Sequence, residues 1–192
     1  CNTVACQKES FDEYYSNINH DKVNTFSLDD DCADLYASDV SYSLDETEIR
    51  IKYANVKTVN NNISDGEILV KTFAPGPHHV SNVLGVVLTS LCLEISHEKI
   101  ITGLKNYKGI IGRTNKKVIE KSIIIEEINP GINTQAIKES VNMIDNIDDY
   151  YVCIGGDYGI TCEEIDEEKL SAFLDTLDCE LILTGDVGHS IS

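Results

Sequence analysis

A loop-to-helix junction at residues 76–82 carries side chains well suited to binding a ligand. Its sequence, Gly-Pro-His-His-Val-Ser-Asn, offers two imidazoles and one amide, at His78, His79 and Asn82. The start of a helix has unpaired backbone N–H groups and a positive dipole end. His and Asn add directional donors and acceptors that suit the edge of a nucleobase. The alternative is an ordinary helix start whose His residues cap it or face solvent, and chemistry alone favours that alternative.

A second candidate is Arg113, which follows Gly112 where the organisation of the chain changes. Clefts between folding units often hold ligands, and a bidentate guanidinium is the usual side chain for a polyphosphate. The alternative is a simple surface charge.

A third candidate is a pair of acids, Glu126 and Glu127, at the end of an Ile-rich run. An Asn-Pro-Gly break follows, and Asn133 or Thr134 can cap a helix behind it. In α/β proteins, a strand that ends at the carboxyl edge of a sheet and turns into a helix commonly builds a ligand site. The two glutamates are therefore candidates to accept ribose hydroxyls or hold Mg²⁺. The alternative is an ordinary strand–turn–helix connection with exposed acids.

The sequence pattern before residue 112 predicts strands followed by two helices. Alternating residues over 35–44 and 49–53 predict an antiparallel hairpin, and residues 22–26 and 68–73 predict further strands with a loop over 60–66. A second helix, capped by Ser96, is predicted to end near Gly109. The first helix should bury one face, formed by Val80, Val83, Leu84, Val87, Leu88 and Leu91.

After residue 112, strands and helices alternate, which implies a parallel sheet. We predict an α/β fold with one domain over residues 1–112, built from small antiparallel strands plus helices, and a second domain over 113–192. The acids at 163–168 are interpreted as the start of a helix rather than a metal site. The predicted elements are strands at 118–119, 123–127, 151–154 and 181–184, and helices at 134–143 and 164–177.

Composition excludes several classes of function. With 33 acidic and 15 basic residues the formal charge is −18, so nucleic-acid binding is not expected. No apolar run approaches the roughly 20 residues that span a bilayer. The seven cysteines are scattered without a C-x2-C pair, which favours a reducing cytoplasm over a disulfide framework and predicts no structural metal. An anionic ligand would need a local exception to the negative surface.

The order of these candidates resembles the Mur ligase family, which comprises the muramyl-peptide ligases, folylpolyglutamate synthases and their relatives. Gly-x-His-x-Val-x-Asn opens a helix, a Gly-Arg pair follows, and an Ile-rich strand then ends in a polar turn with Asn-Pro. The resemblance runs from about residue 34 to the end of the chain. The matched positions are Gly76, His78, Val80, Asn82, Gly112 and Arg113.

The resemblance implies an ATP-dependent ligase that converts a small-molecule carboxylate to an acyl phosphate and then to an amide. Asn82 would contact adenine and Arg113 the ATP phosphates, with Mg²⁺ as a further cofactor. Residues 1–112 would be the end of a central ATPase domain, and residues 113–192 an incomplete Rossmann-like C-terminal domain. No catalytic residue and no metal ligand is assigned.

The chain departs from the family pattern at several positions. His79 stands where the family has Asn, and the family's later Asp and His are missing, so that Glu126 or Glu127 would replace the ribose-binding Asp. The family's phosphate loop and its carbamylated Lys are expected upstream of Cys1. We therefore predict that these 192 residues do not hydrolyse ATP by themselves.

Within the family, residues 126–133 resemble the Mur-type ligases of methanogens. One branch closes a ring in a nickel tetrapyrrole coenzyme and others build pseudomurein peptides; the first is favoured, because no Asp-Asn-Pro-Arg-like motif for an amino-acid substrate is visible. A second hypothesis is a non-catalytic binding module. A third is an unrelated nucleotide-binding protein with a phosphate turn at 152–157, although Gly155, Gly156 and Gly159 do not complete G-x-G-x-x-G.

Overall fold

The chain forms two compact units, Cys1–Lys108 and Gly109–Ser192, each with a hydrophobic core of its own. The computed structural model describes residues 2–110, 114–127, 134–144, 149–157 and 166–192.

The first unit is built on a five-stranded sheet in the order β1-β2-β3-β4-β5. The first three strands pair in parallel and the last three in antiparallel fashion, so the predicted hairpin of β3 and β4 is confirmed. Strand β1 was not predicted; its four residues alternate between partly buried and exposed. The strands are β1 (Val4–Gln7), β2 (Val23–Ser27), β3 (Leu35–Ser41), β4 (Thr47–Lys57) and β5 (Ile63–Thr72).

The predicted loop over residues 60–66 is wrong in its second half, because β5 begins at Ile63. Gly66 pairs with Tyr53 across the β4–β5 ladder. A Cβ atom at Gly66 would lie 2.7 Å from the Tyr53 hydroxyl. Gly66 therefore allows the buried Tyr53 side chain to pack closely against the strand, and it does not form a turn.

Two helices complete the first unit, α2 (Pro77–Cys92) and α3 (His97–Lys105). A short helical segment, α1 (Lys8–Ser10), continues into a π-helical turn (Phe11–Tyr15) between β1 and β2. Helix α3 ends at Lys105, before the predicted end near Gly109, and Ser96 precedes it without a side-chain capping bond. All six residues predicted to form the buried face of α2 are buried against the sheet.

Buried polar side chains connect the strands and helices of this unit through hydrogen bonds. Asn24 is fully buried, and its amide donates to the Lys57 carbonyl (3.1 Å) and accepts from the Lys57 N–H (2.7 Å). The Thr72 hydroxyl donates to the Leu104 carbonyl (2.7 Å), which fixes the end of α3 on β5. Such bonds are costly to break, because each leaves a buried group unpaired.

The second unit contains an antiparallel hairpin of β6 and β7 and a parallel pair of β8 and β9. The predicted parallel pairing is thus confirmed, whereas α6 was not predicted and α5 begins at Glu167. Ile137, Val141, Val152, Ile154, Leu170 and Leu174 form its buried core. The elements are β6 (Asn115–Ile119), β7 (Ser122–Glu126), α4 (Thr134–Asn142), β8 (Tyr151–Gly155), α5 (Glu167–Leu174), β9 (Glu180–Thr184) and α6 (Gly185–Ser190).

The predicted α/β class is confirmed. Among the described residues, no helix combines the length and apolar character needed to cross a membrane.

Candidate functional site

The start of helix α2 is fixed by a buried loop. Ala74 is fully buried, and its carbonyl accepts a hydrogen bond from the Thr47 hydroxyl at 2.8 Å. Gly76 then precedes the helix with an extended backbone, and Pro77, which lacks an N–H group, takes the first helical position. The Gly76 carbonyl accepts from two amides of the first turn, at 3.0 and 3.1 Å. The backbone of this turn is therefore held in place.

The structure brings together the three side chains predicted at this helix start. The rings of His78 and His79 lie 3.8 Å apart between centroids, and Phe73 meets the His79 ring edge-on at 6.3 Å. Asn82 is exposed one turn further along the helix. Both imidazoles are half-buried, so the site combines aromatic faces with an accessible amide.

The imidazole of His79 is held in its neutral form. Burial, and next the neighbouring His78, lower the pKa of His79 to about 4. A neutral imidazole donates at one ring nitrogen and accepts at the other. The Nδ1 atom of His79 is buried and has no hydrogen-bond partner among the described residues.

Helix α2 is a local exception to the acidic character of the chain. None of its 16 residues is Asp, Glu, Lys or Arg, and its first turn carries no acid, whereas the chain as a whole has a formal charge of −18. The positive dipole end is therefore not neutralised by the helix itself. This helix start suits an uncharged heterocycle attached to an anion.

The remaining predicted site residues lie in the second unit. Arg113 and Gly112 fall outside the described residues. Glu126 forms a salt bridge with Lys117 (2.7 Å), and the Lys117 hydrogen bond lowers the pKa of its carboxyl group. Glu127 accepts from the backbone N–H (2.8 Å) and the hydroxyl (2.6 Å) of Thr114. Both glutamates thus have partners at the β6–β7 hairpin.

The carboxyl ends of β8 and β9 do not favour a phosphate turn. The Gly156 carbonyl accepts from the Val187 N–H at 3.0 Å. Gly185 has φ +70, and a Cβ there would lie 2.7 Å from that carbonyl, so the two turns pack against each other. The adjoining side chains, Asp157 and Asp186, are acids that repel phosphate.

One group of potential metal ligands occurs among the described residues. Asp30, Asp31 and Cys32 have ligand atoms within 4.8 Å of one another near the end of β2, and all three are at least partly exposed. A thiol is not a ligand that Mg²⁺ prefers, and neighbouring surface acids are common. We assign no metal to this group.

Sequence reasoning missed two residues that shape the α2 site. Phe73 was assigned to a strand only, and its position just before the Ala-Pro-Gly-Pro turn was the available signal. Thr47 contacts a carbonyl 27 residues away, and nothing in the local sequence indicates that partner.

Comparison with known families and proteins gives consistent matches. The family model described as the C-terminal domain of coenzyme F430 synthetase CfbE matches residues 116–192. A coenzyme F(430) synthetase of Methanocaldococcus jannaschii is 31% identical over 186 residues, which cover 96% of this chain and 40% of that protein. A UDP-N-acetylmuramate–L-alanine ligase of Clostridium acetobutylicum is 30% identical over 94 residues, 45% of this chain and 20% of that protein. The chain thus spans less than half of these relatives.

Solved structures show the same fold. MurF ligase of Thermotoga maritima, in complex with ADP, superposes with a TM-score of 0.68 at 13% identity, over 100% of this chain and 43% of that one. MurF of Acinetobacter baumannii gives a TM-score of 0.66 at 17% identity, over 89% of this chain and 36% of that one. These similarities confirm the predicted resemblance to the Mur ligase family, including its coenzyme F430 synthetase branch.

Proposed function

We propose that the chain is part of an ATP-dependent ligase of Mur type and that the whole enzyme is a coenzyme F430 synthetase. The observation that carries this proposal is the 31% identity to the Methanocaldococcus jannaschii synthetase over 96% of the chain. The substrate would be a small-molecule carboxylate of a tetrapyrrole precursor. ATP, when bound, would supply the phosphoryl group that activates such a carboxylate, and a ring closure would then need no separate amine substrate.

In this proposal the start of α2 holds the base of the nucleotide. The site fits a base in two respects: aromatic rings at its wall and an exposed amide at Asn82. The uncharged helix tolerates the attached phosphates in a chain of strong negative charge. His78, His79 and Asn82 would thus bind and orient the nucleotide.

The contacts proposed for the second unit follow from the family resemblance. Arg113 would bind the phosphates, and Glu126 or Glu127 would accept the ribose hydroxyls. Glu127 already accepts two hydrogen bonds from Thr114 and Glu126 pairs with Lys117, so a ribose contact would compete with these partners.

Mg²⁺ remains a proposed cofactor of the reaction. The described carboxylates do not form a Mg²⁺ site. Glu126 and Glu127 are bonded to Lys117 and Thr114, and the Asp30–Cys32 group contains a thiol. No step of the reaction is assigned to a metal held by the described residues.

We also propose the division of the chain at residue 112, with residues 1–112 as the end of a central ATPase domain and 113–192 as part of the C-terminal domain. The cytoplasm is the proposed compartment, in keeping with the scattered cysteines. Nucleic acids and membranes are not proposed as partners.

A muramyl-peptide or pseudomurein ligase is the second candidate. The observation that favours it is the 30% identity to the Clostridium ligase, which covers 45% of the chain. The match to the F430 synthetase covers about twice as much of the chain, 96%, and we rank the tetrapyrrole substrate first for that reason.

Phosphate release tests both candidates. The longer natural protein that contains these residues is incubated with ATP and either a tetrapyrrole carboxylate precursor or a muramyl peptide. We expect phosphate release that depends on the tetrapyrrole. Release that depends on the peptide instead would support the second candidate, and release with neither would contradict the ligase assignment.

A further inference from the structure

Glu94 occupies a position at the end of α2 that ordinarily favours glycine. The helix ends in a Schellman motif, in which the Ile95 N–H donates to the Ser90 carbonyl (3.0 Å) and the Glu94 N–H donates to the Leu91 carbonyl (2.9 Å). The motif requires a left-handed backbone at Glu94, which has φ +59. A residue with a Cβ atom is disfavoured in that conformation, whereas glycine is not. The helix end therefore gives no reason for a glutamate at this position.

The carboxylate of Glu94 gives a different reason. It accepts hydrogen bonds from three side chains of the turn over residues 58–62, which joins β4 to β5. The donors are Thr58 Oγ1 (2.6 Å), Asn60 Nδ2 (2.6 Å) and Asn62 Nδ2 (2.7 Å). The bond from Thr58, and next those from Asn60 and Asn62, lower the pKa of the Glu94 carboxyl group below its ordinary 4.5. Hydrogen bonds to a charged acceptor are stronger than those between neutral groups.

Two other contacts also hold the 58–62 turn. The Val59 N–H donates to the carbonyl of Cys92, the last residue of α2, at 2.9 Å. The Lys22 ammonium donates to the carbonyls of Thr58 (3.1 Å) and Val59 (3.2 Å). Because the Val59 N–H bond forms only when the turn lies against the helix, this amide reports on closure of the turn. The Ile95 N–H reports separately on the helix end.

We propose that the Glu94 carboxylate holds the 58–62 turn against the end of α2, and that loss of its bonds lets the turn open while the helix end stays formed. This inference concerns the first unit alone and does not depend on the proposed function. It also explains why a glutamate rather than a glycine ends the helix.

A second glutamate with a positive φ provides a matched control. Glu120 lies in the turn between β6 and β7 with φ +55. Its carboxylate is exposed and forms no hydrogen bond or ion pair with another described residue. A change to glycine relieves the backbone at both positions, but only at position 94 does it also remove bonded side-chain oxygens.

Amide hydrogen exchange and thermal unfolding test the proposal on the wild-type chain, Glu94→Gly and Glu120→Gly. In Glu94→Gly we expect the protection of the Val59 amide to fall at least about fivefold, the value of one hydrogen bond. The Ile95 amide should keep or increase its protection, because glycine suits the helix end. The melting temperature should fall in Glu94→Gly and rise in Glu120→Gly.

Two further variants identify the partner of the carboxylate. Asn60→Ala should lower the protection of Val59 in the wild-type background and have no further effect in Glu94→Gly, because the two groups form one bond. Lys22→Met removes the other side-chain contact of the turn, and its effect should add to that of Glu94→Gly.

Several results would overturn the proposal. If Ile95 loses protection together with Val59 in Glu94→Gly, the glutamate serves the helix end. If Val59 keeps its protection in Glu94→Gly but loses it in Lys22→Met, Lys22 holds the turn instead. A rise in melting temperature in both glycine variants, or an Asn60→Ala effect of equal size with and without the Glu94 carboxylate, would also contradict it.

Discussion

Helices α2 and α5 begin in opposite ways. The start of α5 is satisfied by its own acids: Asp166 accepts a hydrogen bond from the Lys169 N–H (3.1 Å), and Glu167 and Glu168 occupy the first turn. The start of α2 has no acid and no side-chain cap. It carries two adjacent imidazoles with tilted rings instead.

The difference indicates where a ligand can bind. An anion that approached α5 would meet three carboxylates already placed against the helix dipole. At α2 the dipole is not neutralised by charged groups of the helix, and the amide of Asn82 is exposed one turn along it. The start of α5 is therefore capped by its own acidic side chains, whereas the start of α2 is suited to binding a ligand.

The largest expected effect on stability comes from a substitution at Thr47, which fixes the loop before α2. Thr47→Val keeps the shape of the side chain but leaves the fully buried Ala74 carbonyl without its donor. We expect a loss of about 2 kcal/mol in the free energy of unfolding, measured with urea. Thr47→Ser retains the hydroxyl and is the control. If both variants are equally stable, the hydrogen bond from Thr47 to the Ala74 carbonyl does not fix the start of α2.

Acid should destabilise the α2 start before the α5 start. The pKa of His79 is about 4 in the folded chain, against an ordinary 6.5, so below pH 6.5 the unfolded chain binds the proton first. Stability from this group is complete above pH 6.5 and falls until about pH 4. Urea unfolding across this range should show the loss, and His79→Phe should remove part of it. An unchanged pH profile in that variant would count against a neutral, half-buried His79.

The smallest effect is expected at the cap of α5. Bonds from the Lys169 side chain and backbone lower the pKa of the exposed Asp166 carboxyl below its ordinary 3.8. Its contribution is therefore complete above pH 3.8 and is lost as the pH falls through the lower folded value. Asp166→Ala should lower the melting temperature slightly at pH 7, and Asp166→Asn, which retains a cap, should lower it less. Equal melting temperatures for all three proteins would show that this helix start needs no cap.

A further prediction concerns the isolated 192 residues, which should show no Mg²⁺-ATP turnover. The family resemblance implies a Gly-Lys-Thr/Ser phosphate loop, and neither Gly-Lys-Thr nor Gly-Lys-Ser occurs in these residues. Phosphate release by the purified chain, above that of a mock preparation without the chain, would contradict that prediction.

The sequence predicted those parts of the fold in which local pattern decides structure. The buried face of α2 follows from its helical period, and the β3–β4 hairpin from its alternation. The start of β5 was misjudged, because Asp65 and Gly66 resemble a turn although Gly66 lies in the strand under Tyr53. That partner is distant in the sequence and leaves no local signal.

The candidate site was predictable to a similar extent. The residue types at 76–82 allowed a base-binding helix start, although chemistry alone favoured an ordinary one. The sequence did not show that His79 lies against Phe73 with one nitrogen buried. The pairing of Glu126 with Lys117 depends on the register of the β6–β7 hairpin. Such contacts follow from tertiary packing, which single residues do not encode.

An ATP titration of the ¹⁵N-labelled chain tests the central claim most directly. If the α2 start holds the base, the largest amide shift changes will occur at residues 76–82 and in the side chain of Asn82, and the α5 start will not change. Shift changes centred on residues 166–169, or an absence of changes at 76–82 at saturating ATP, would contradict the account.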